Sequence, residues 1–541
     1  MLAALCTACG SSDSAVVPDA PVPVPDAPAT DGPPASTDFR GGTVYEIFVR
    51  SFADSDGNGI GDLAGLTARI DYLNDGDPDS TTSLGVDAVW LMPIFPSPSY
   101  HGYDVSDYRN VNPSYGSLAD FDAFVAAAHQ RGISVVLDMV VNHASSQHPD
   151  FVDSASNPTS AKRNFFVWSD TDLHWQRPWE PVDAWYGRNG AFYYGLFCNC
   201  MPDWNLANPD VESQRTDDEK FWLARGVDGF RLDAARYYIE SPTGDLADQP
   251  ETHAYLRRMR QSLQAVAPTM VLIGEIYTAV EIQASYYGQG DELQLAFSFN
   301  LADAFIAAAQ AGDASSIINI LARTEAAFVG KDRSYEAPFL SNHDQVRVMR
   351  AIGNDTAAAR VAAASLFAMP GTPFIYYGEE LGMLGGPGGS DENKRTPFHW
   401  TGASPGYGFT TGTPWYSSAA EVAGVDVASE QADPGSLWHL YRQLIALRHG
   451  QPALSSGSAT RPAVTGGGSG VLALVRASAS GQRVLFVANF GTAETGPFTV
   501  TLAGTPSVLL GEGVMGTPSS AAGAVTVPNL LARGFAYVAL D

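Results

Sequence analysis

Short apolar runs recur along the chain from residue 39, and between them lie stretches in which apolar residues return every three or four positions. VYEIFVRSF (44–52), GVDAVWLMPI (85–94), ISVVLDMVVNH (133–143), GVDGFRLDAAR (226–236), TMVLIGEIY (269–277), LQLAFSFN (293–300), APFLSNHDQ (337–345) and GTPFIYYGEE (371–380) read as strands. Several are apolar almost throughout, the pattern of strands buried on both faces of a parallel sheet. LADFDAFVAAAHQRG (118–132) sets Leu118, Phe121, Phe124, Val125 and Ala128 at helical spacing and stops at Gly132. Eight strands with helical stretches between them predict an α/β fold, a closed (β/α)8 TIM barrel, over 38–143 and 206–452.

Other segments depart from this rhythm. Residues 144–205, after the third strand, are rich in Trp, Tyr and Pro and read as an inserted subdomain. Past SLWHLYRQLIALRHG (436–450), short strands separated by Gly, Ser and Thr predict a C-terminal antiparallel β-sandwich over 453–541. Residues 10–37, with VVPDAPVPVPDAPATDGPP, read as an extended tether.

The 541 residues carry 31 basic and 59 acidic side chains, a formal charge of −28. So acidic a chain repels phosphate backbones, which excludes nucleic acid as a partner and favours a neutral small-molecule substrate. A monomer is expected. No apolar run reaches the ~18 residues of a membrane span. MLAALCTACGSSDS looks like the tail of a signal peptide with a lipoprotein cleavage box before Cys9. It lacks a basic leading region, and Cys6 stands where leucine is usual. Residues 1–9 are therefore expected to be a truncated signal, and the protein to be exported, secreted or lipid-anchored at the bacterial envelope; a plain unstructured N-terminus is the competing reading. A Cys198–Cys200 disulfide would close a strained ring, so the balance falls against a bridge. A metal reading of the pair lacks further Cys or His at ligand spacing.

Polar residues gather where the strands end: Asp138, Asn142 and His143; Arg231 and Asp233; Glu275; Asn342, His343 and Asp344. A single carboxylate there could be a helix N-cap. Three, on three strands and flanked by His and Arg, converge at the barrel mouth where active sites lie.

DMVVNH, GFRLDAAR, GEIY and FLSNHD resemble the four conserved regions of the α-amylase superfamily, glycoside hydrolase family 13, and MPDWN (201–205) resembles its fifth. The resemblance implies a retaining α-glucosidic enzyme acting on α-glucans such as starch and maltooligosaccharides. It implies Asp233 as nucleophile, Glu275 as general acid/base and Asp344 as the third carboxylate. Tyr103, Asp104, His143, Arg231, Arg236, His343 and Arg347 form the implied sugar-binding set. Arg231 beside Asp233 should lower that carboxyl's pKa, whereas burial should raise that of Glu275. Retention requires the two carboxyls about 5–5.5 Å apart.

DSDGNGIGD (54–62) copies the first nine positions of an EF-hand loop: Asp54, Asp56, Asn58, the Ile60 carbonyl and Asp62, with Gly65 where the closing Glu would stand. Oligo-1,6-glucosidases carry a similar loop, so a structural Ca2+ is expected, against the alternative of a metal-free Gly/Asp turn. Ala234, where α-1,6-acting relatives often carry Val, and Arg236, where α-amylases commonly place Lys, favour α-1,4 cleavage. MPDWN resembles the subfamily intermediate between oligo-1,6-glucosidases (QPDLN) and neopullulanases (MPKLN), and KRTPFHW (394–400) is similar to the RTPMQW segment of oligoglucosidases. An α-amylase is thus expected. An α-glucosidase, oligo-1,6-glucosidase or glucan transglycosylase on the same scaffold is the alternative. A non-catalytic transporter heavy chain disagrees with the retained carboxylates. Of Trp168, Trp175, Trp179, Trp185, Tyr193, Tyr194 and Trp204, at most two are expected to line sugar subsites, the rest being core. The C-terminal module is expected to stabilise the barrel by packing rather than to bind starch.

Overall fold

A computed structural model describes residues 38–331, 336–404, 406–417 and 422–541, so the readings for 1–9 and 10–37 lie outside the described residues. Eight strands form one parallel sheet: β1 (Val44–Ile47), β2 (Ala88–Leu91), β3 (Ser134–Met139), β7 (Gly229–Leu232), β8 (Val271–Gly274), β9 (Leu295–Phe297), β10 (Glu336–Ala337) and β11 (Phe374–Tyr376). β11 pairs with β1, and a parallel bridge from Phe339 to Phe374 closes the ring. Every residue of these strands is buried. That is why the runs were apolar without alternation: one face fills the lumen, with Trp90, Val136, Ile273, Phe297 and Phe374, and the other meets the helices.

The chain between β3 and β7 carries a small antiparallel sheet, β4 (Trp168–Ser169), β5 (Trp185–Arg188) and β6 (Ala191–Tyr194), with β6 central. After it, Cys198 and Cys200 are bridged, against the balance of the sequence reading. The backbone turn that carries Met201 N–H to the Cys198 carbonyl brings the two cysteines to a Cα separation of 5.2 Å, so the short ring closes on a turn already formed.

The C-terminal strands make two sheets. β14 (Val471–Ala477), β15 (Arg483–Asn489) and β20 (Leu530–Leu540) lie within the five-stranded one, and β16 (Phe498–Val500) and β19 (Ala524–Val527) within the four-stranded one. Val471, Ala473 and Val475 face the core between the sheets, whereas Leu472 and Leu474 join the barrel's outer core. The two-residue period of a strand thus divides β14 between two interiors. No helix among the described residues is long and apolar enough to cross a membrane.

Candidate active site

The barrel strands end in one mouth, and β3, β7 and β8 run in register there, with Asp138 opposite Arg231 and Arg231 opposite Ile273. Side chains two apart share a strand face, so Arg231 and Asp233 point together. Arg231 is 1% exposed and lies over the Trp90 ring. Its Nη1 donates to Asp138 Oδ1 at 2.8 Å and Asp233 Oδ1 at 2.7 Å, and its Nη2 lies 2.9 Å from Glu275 Oε2. One guanidinium therefore holds three carboxylates, two of them through neighbouring nitrogens. Ala234 takes a left-handed conformation (φ 50°, ψ 31°), which turns its N–H to Glu275 Oε2 at 2.9 Å.

Burial raises Asp233 to about 6, because Arg231 pulls it down less than burial, Asp138 and Asp344 push it up. The sequence expectation of a depressed Asp233 is corrected: the counter-cation is shared with two other carboxylates, and desolvation wins. Glu275 is raised by burial, opposed by Arg231 and aided by Asp233 and Asp344, which matches the expectation for it. Asp344 is the opposite case. Burial raises it, but His343, Arg395 and Arg231 together hold it well below the usual carboxylate range. Arg395 Nη2 donates to Asp344 Oδ1 at 2.8 Å, and His343 Nε2 lies 3.2 Å from Oδ2. Burial works against a charged His343, yet Asp344 and Glu46 carry it up to about 9, so it stands as a cation at neutral pH.

Tyr103, His143, Phe197, Met201, Asp233, Glu275 and Asp344 line a narrow pocket. Burial lowers His143 to about 3, and its Nε2, on a fully buried ring, has no hydrogen-bond partner among the described residues. Such an atom in a pocket wall awaits a polar ligand. The Tyr103 hydroxyl donates to Asp138 Oδ2 at 2.9 Å and meets His343 Nε2 at 2.7 Å.

Other expected residues stand back. His343 lies behind Tyr103 and does not line the pocket. Asp104 is buried and takes the Ser97 and Ser99 hydroxyls. Arg347 donates to the Tyr377 carbonyl at 2.6 Å and lies over the Tyr376 and Tyr377 rings. Arg236 pairs with Asp248 and donates to the Tyr277 carbonyl at 2.6 Å. Conversely, Glu46, Arg395, Phe197 and Met201 were not among the expected site residues, and Asp138 was named only as a polar strand end, with no role. Arg395 sits in the KRTPFHW segment, and Phe197 and Met201 flank the cysteine pair, but neither signal says that Arg395 meets Asp344 or that Phe197 and Met201 line the pocket.

In the Asp-rich loop, carboxylate oxygens of Asp54, Asp56 and Asp62 lie within 4.8 Å of one another, an all-oxygen set suited to a hard divalent cation. Asn58 Oδ1 accepts the Ile60 N–H at 2.8 Å. Asp54 accepts the Gly57 and Gly59 N–H groups at 2.8 Å each, and the loop docks on the 410–415 segment, where Trp415 N–H meets the Gly59 carbonyl at 2.8 Å. Gly59 (φ +91°) admits no side chain, since a Cβ there would stand 2.0 Å from the Thr413 carbonyl.

The family profile described as "Alpha amylase, catalytic domain" matches residues 46–457. The chain is 37% identical over 426 residues to "Alpha-amylase 3" of Dictyoglomus thermophilum, covering 78% of this chain and 80% of that one. It is 31% identical over 490 residues to an "Oligo-1,6-glucosidase" of Heyndrickxia coagulans, covering 77% and 86%. The crystal structure of an α-amylase from H. orenii superposes with a TM-score of 0.82 at 36% identity, covering 92% of this chain and 99% of that one.

Proposed function

The chain belongs to the α-amylase catalytic-domain family, and from that premise we propose that it is a retaining glycoside hydrolase cleaving α-1,4-glucosidic bonds of starch and maltodextrins. The observation that carries this reading is the shared guanidinium: Arg231 holds Asp233 and Glu275 through adjacent nitrogens, so the two carboxyls stand side by side. Such closeness suits a nucleophile and an acid/base, whereas inversion needs room for a water between them. Asp233 attacks the anomeric carbon, and Glu275 gives its proton to the departing glycosidic oxygen. The ester on Asp233 is then opened by water, whose proton returns to Glu275. Asp344, held ionised by Arg395 and His343, accepts sugar hydroxyls, and His143 Nε2 meets another.

Ca2+ in the Asp54–Asp62 loop is the proposed structural ion, with Asp54, Asp56 and Asp62 holding it. The narrow pocket favours, as second reading, α-glucosidase action at chain ends or transfer to a sugar acceptor. Export is proposed as well, with Cys9 as lipid attachment point. The Cys198–Cys200 bridge supports an oxidising compartment, and radiolabelled palmitate on the parent but not on Cys9→Ser would test the anchor.

The deciding experiment is a product profile on soluble starch, maltoheptaose, isomaltose and pullulan, with the anomer of the first product read by NMR. Mixed maltooligosaccharides born as α-anomers, with isomaltose untouched, are expected. Glucose alone or attack on isomaltose would move the assignment to the α-glucosidases, products longer than maltoheptaose would mean transfer, and β-anomers would remove retention.

A further inference from the structure

A cavity of about 410 Å3 opens between the inserted sheet and the segment that follows β7, and it shares no lining residue with the catalytic pocket. That volume is within the range of small-molecule sites. Trp168, Trp175, Trp185 and Trp204 form much of its wall, and Glu240 lines it too. Two polar groups there bear on what it could hold. Trp185 is 4% exposed, and its indole N–H has no acceptor among the described residues. The half-buried Glu240 carboxyl accepts its own backbone N–H, and burial raises it to about 7. A buried donor left without an acceptor costs folding free energy unless a ligand completes it. No Lys, Arg or His lines the cavity, which disfavours an anion. A quaternary ammonium would suit tryptophan faces and a carboxylate but offers nothing to the Trp185 N–H. A pyranose ring has apolar C–H faces to lie on indoles and hydroxyls that both give and take hydrogen bonds.

We propose that this cavity is an accessory carbohydrate site that binds a neutral pyranose unit of a glucan, stacked on Trp175, with Trp185 Nε1 donating to the sugar and Glu240 facing its hydroxyls. The identity of the sugar as glucose rests on the function proposed above. The site lies outside the catalytic route, so it acts by tethering substrate to the inserted subdomain.

Calorimetric titration of the full chain carrying Glu275→Gln with maltotriose should give two sites. Adding Trp175→Ala should abolish one. Adding Ala207→Trp, at an exposed lining position, should abolish the same one by filling the opening, and guards against a simple loss of packing in the first variant. With Glu275 intact, both variants should keep their kcat/KM on maltoheptaose. One site in the parent, two sites surviving in both variants, or choline binding lost in the variants in place of maltotriose would each overturn the proposal. A chain that binds maltotriose at this site yet hydrolyses no glucan would sink the proposed activity and leave the site standing.

Discussion

Arg231 is where the charges of the pocket meet. Because it is divided among Asp138, Asp233 and Glu275, it cannot hold Asp233 fully ionised against burial. The consequence is a pH profile. Asp233, raised to about 6, must lose its proton to attack, so kcat/KM on maltoheptaose should fall about tenfold per pH unit below about 6. Glu275, also raised, must keep its proton, so the rate should fall again on the alkaline side. The two limbs belong to the pair rather than to either residue. An acid limb near pH 4 would mean that Arg231 outweighs burial after all. Glu275→Gln should cost roughly 10^2- to 10^4-fold in kcat on maltoheptaose, and far less on an aryl maltoside whose leaving group needs no proton; equal losses on both would remove Glu275 as the acid. At this scale the motifs name strand-end residues, Asp233, Glu275 and Asp344, that the fold brings to one pocket. Sequence fails where charge is set by distant partners: Arg395 lies 51 residues beyond the Asp344 it orients, and no local spacing encodes that contact.

Elements were legible in proportion to how fully burial writes itself into the sequence. The eight barrel strands are buried on both faces and several appear as nearly continuous apolar runs, but their ends do not show, because apolar residues continue past the ladder. VYEIFVRSF holds only Val44–Ile47 as strand; Val49–Phe52 is a helical turn whose Val49 and Phe52 still pack inward. The Asp54–Asp62 loop follows directly and is pinned to the 410–415 segment, so an ion there would tie β1 to a distant stretch of chain. Calcium should therefore raise the thermal midpoint; at a hundredfold excess over Kd the gain is about 2.7 kcal/mol. EDTA should reverse it, and Asp56→Ala should abolish the response, whereas identical midpoints with and without calcium would leave the loop a metal-free turn. The Cys198–Cys200 turn is a second small element with a large position, since Phe197 and Met201 on either side of it line the pocket. Cys198→Ala/Cys200→Ala should raise KM several-fold with kcat little changed, because it loosens a wall and leaves Asp233 and Glu275 in place; an unchanged KM would show that the turn holds without the bridge.

For the molecule as a whole, the decisive relation is between barrel and C-terminal sandwich. The helix Thr356–Ala368, TAAARVAAASLFA, is buried on nearly every side. A helix apolar all round needs covering all round, and here the inner cover is the barrel while β15 and β20 supply the outer one. Polar groups pin the contact: Arg476, fully buried, donates to the Met369 carbonyl at 2.6 Å and the Gly457 carbonyl at 2.8 Å, and the Tyr537 hydroxyl donates to the Ala364 carbonyl. The alternation along β14 puts Arg476 on the barrel side with Leu472 and Leu474, which is why one strand serves both the sandwich core and the joint. Arg476→Met keeps the bulk but strands those buried carbonyls, and should destabilise the chain by about 3 kcal/mol in urea melts. Truncation after residue 452 removes the outer cover altogether and leaves an apolar helix facing water, so the shortened chain should aggregate. A module whose role was to hold starch would leave the truncated barrel soluble and fully active on maltoheptaose, and that outcome would overturn the packing role.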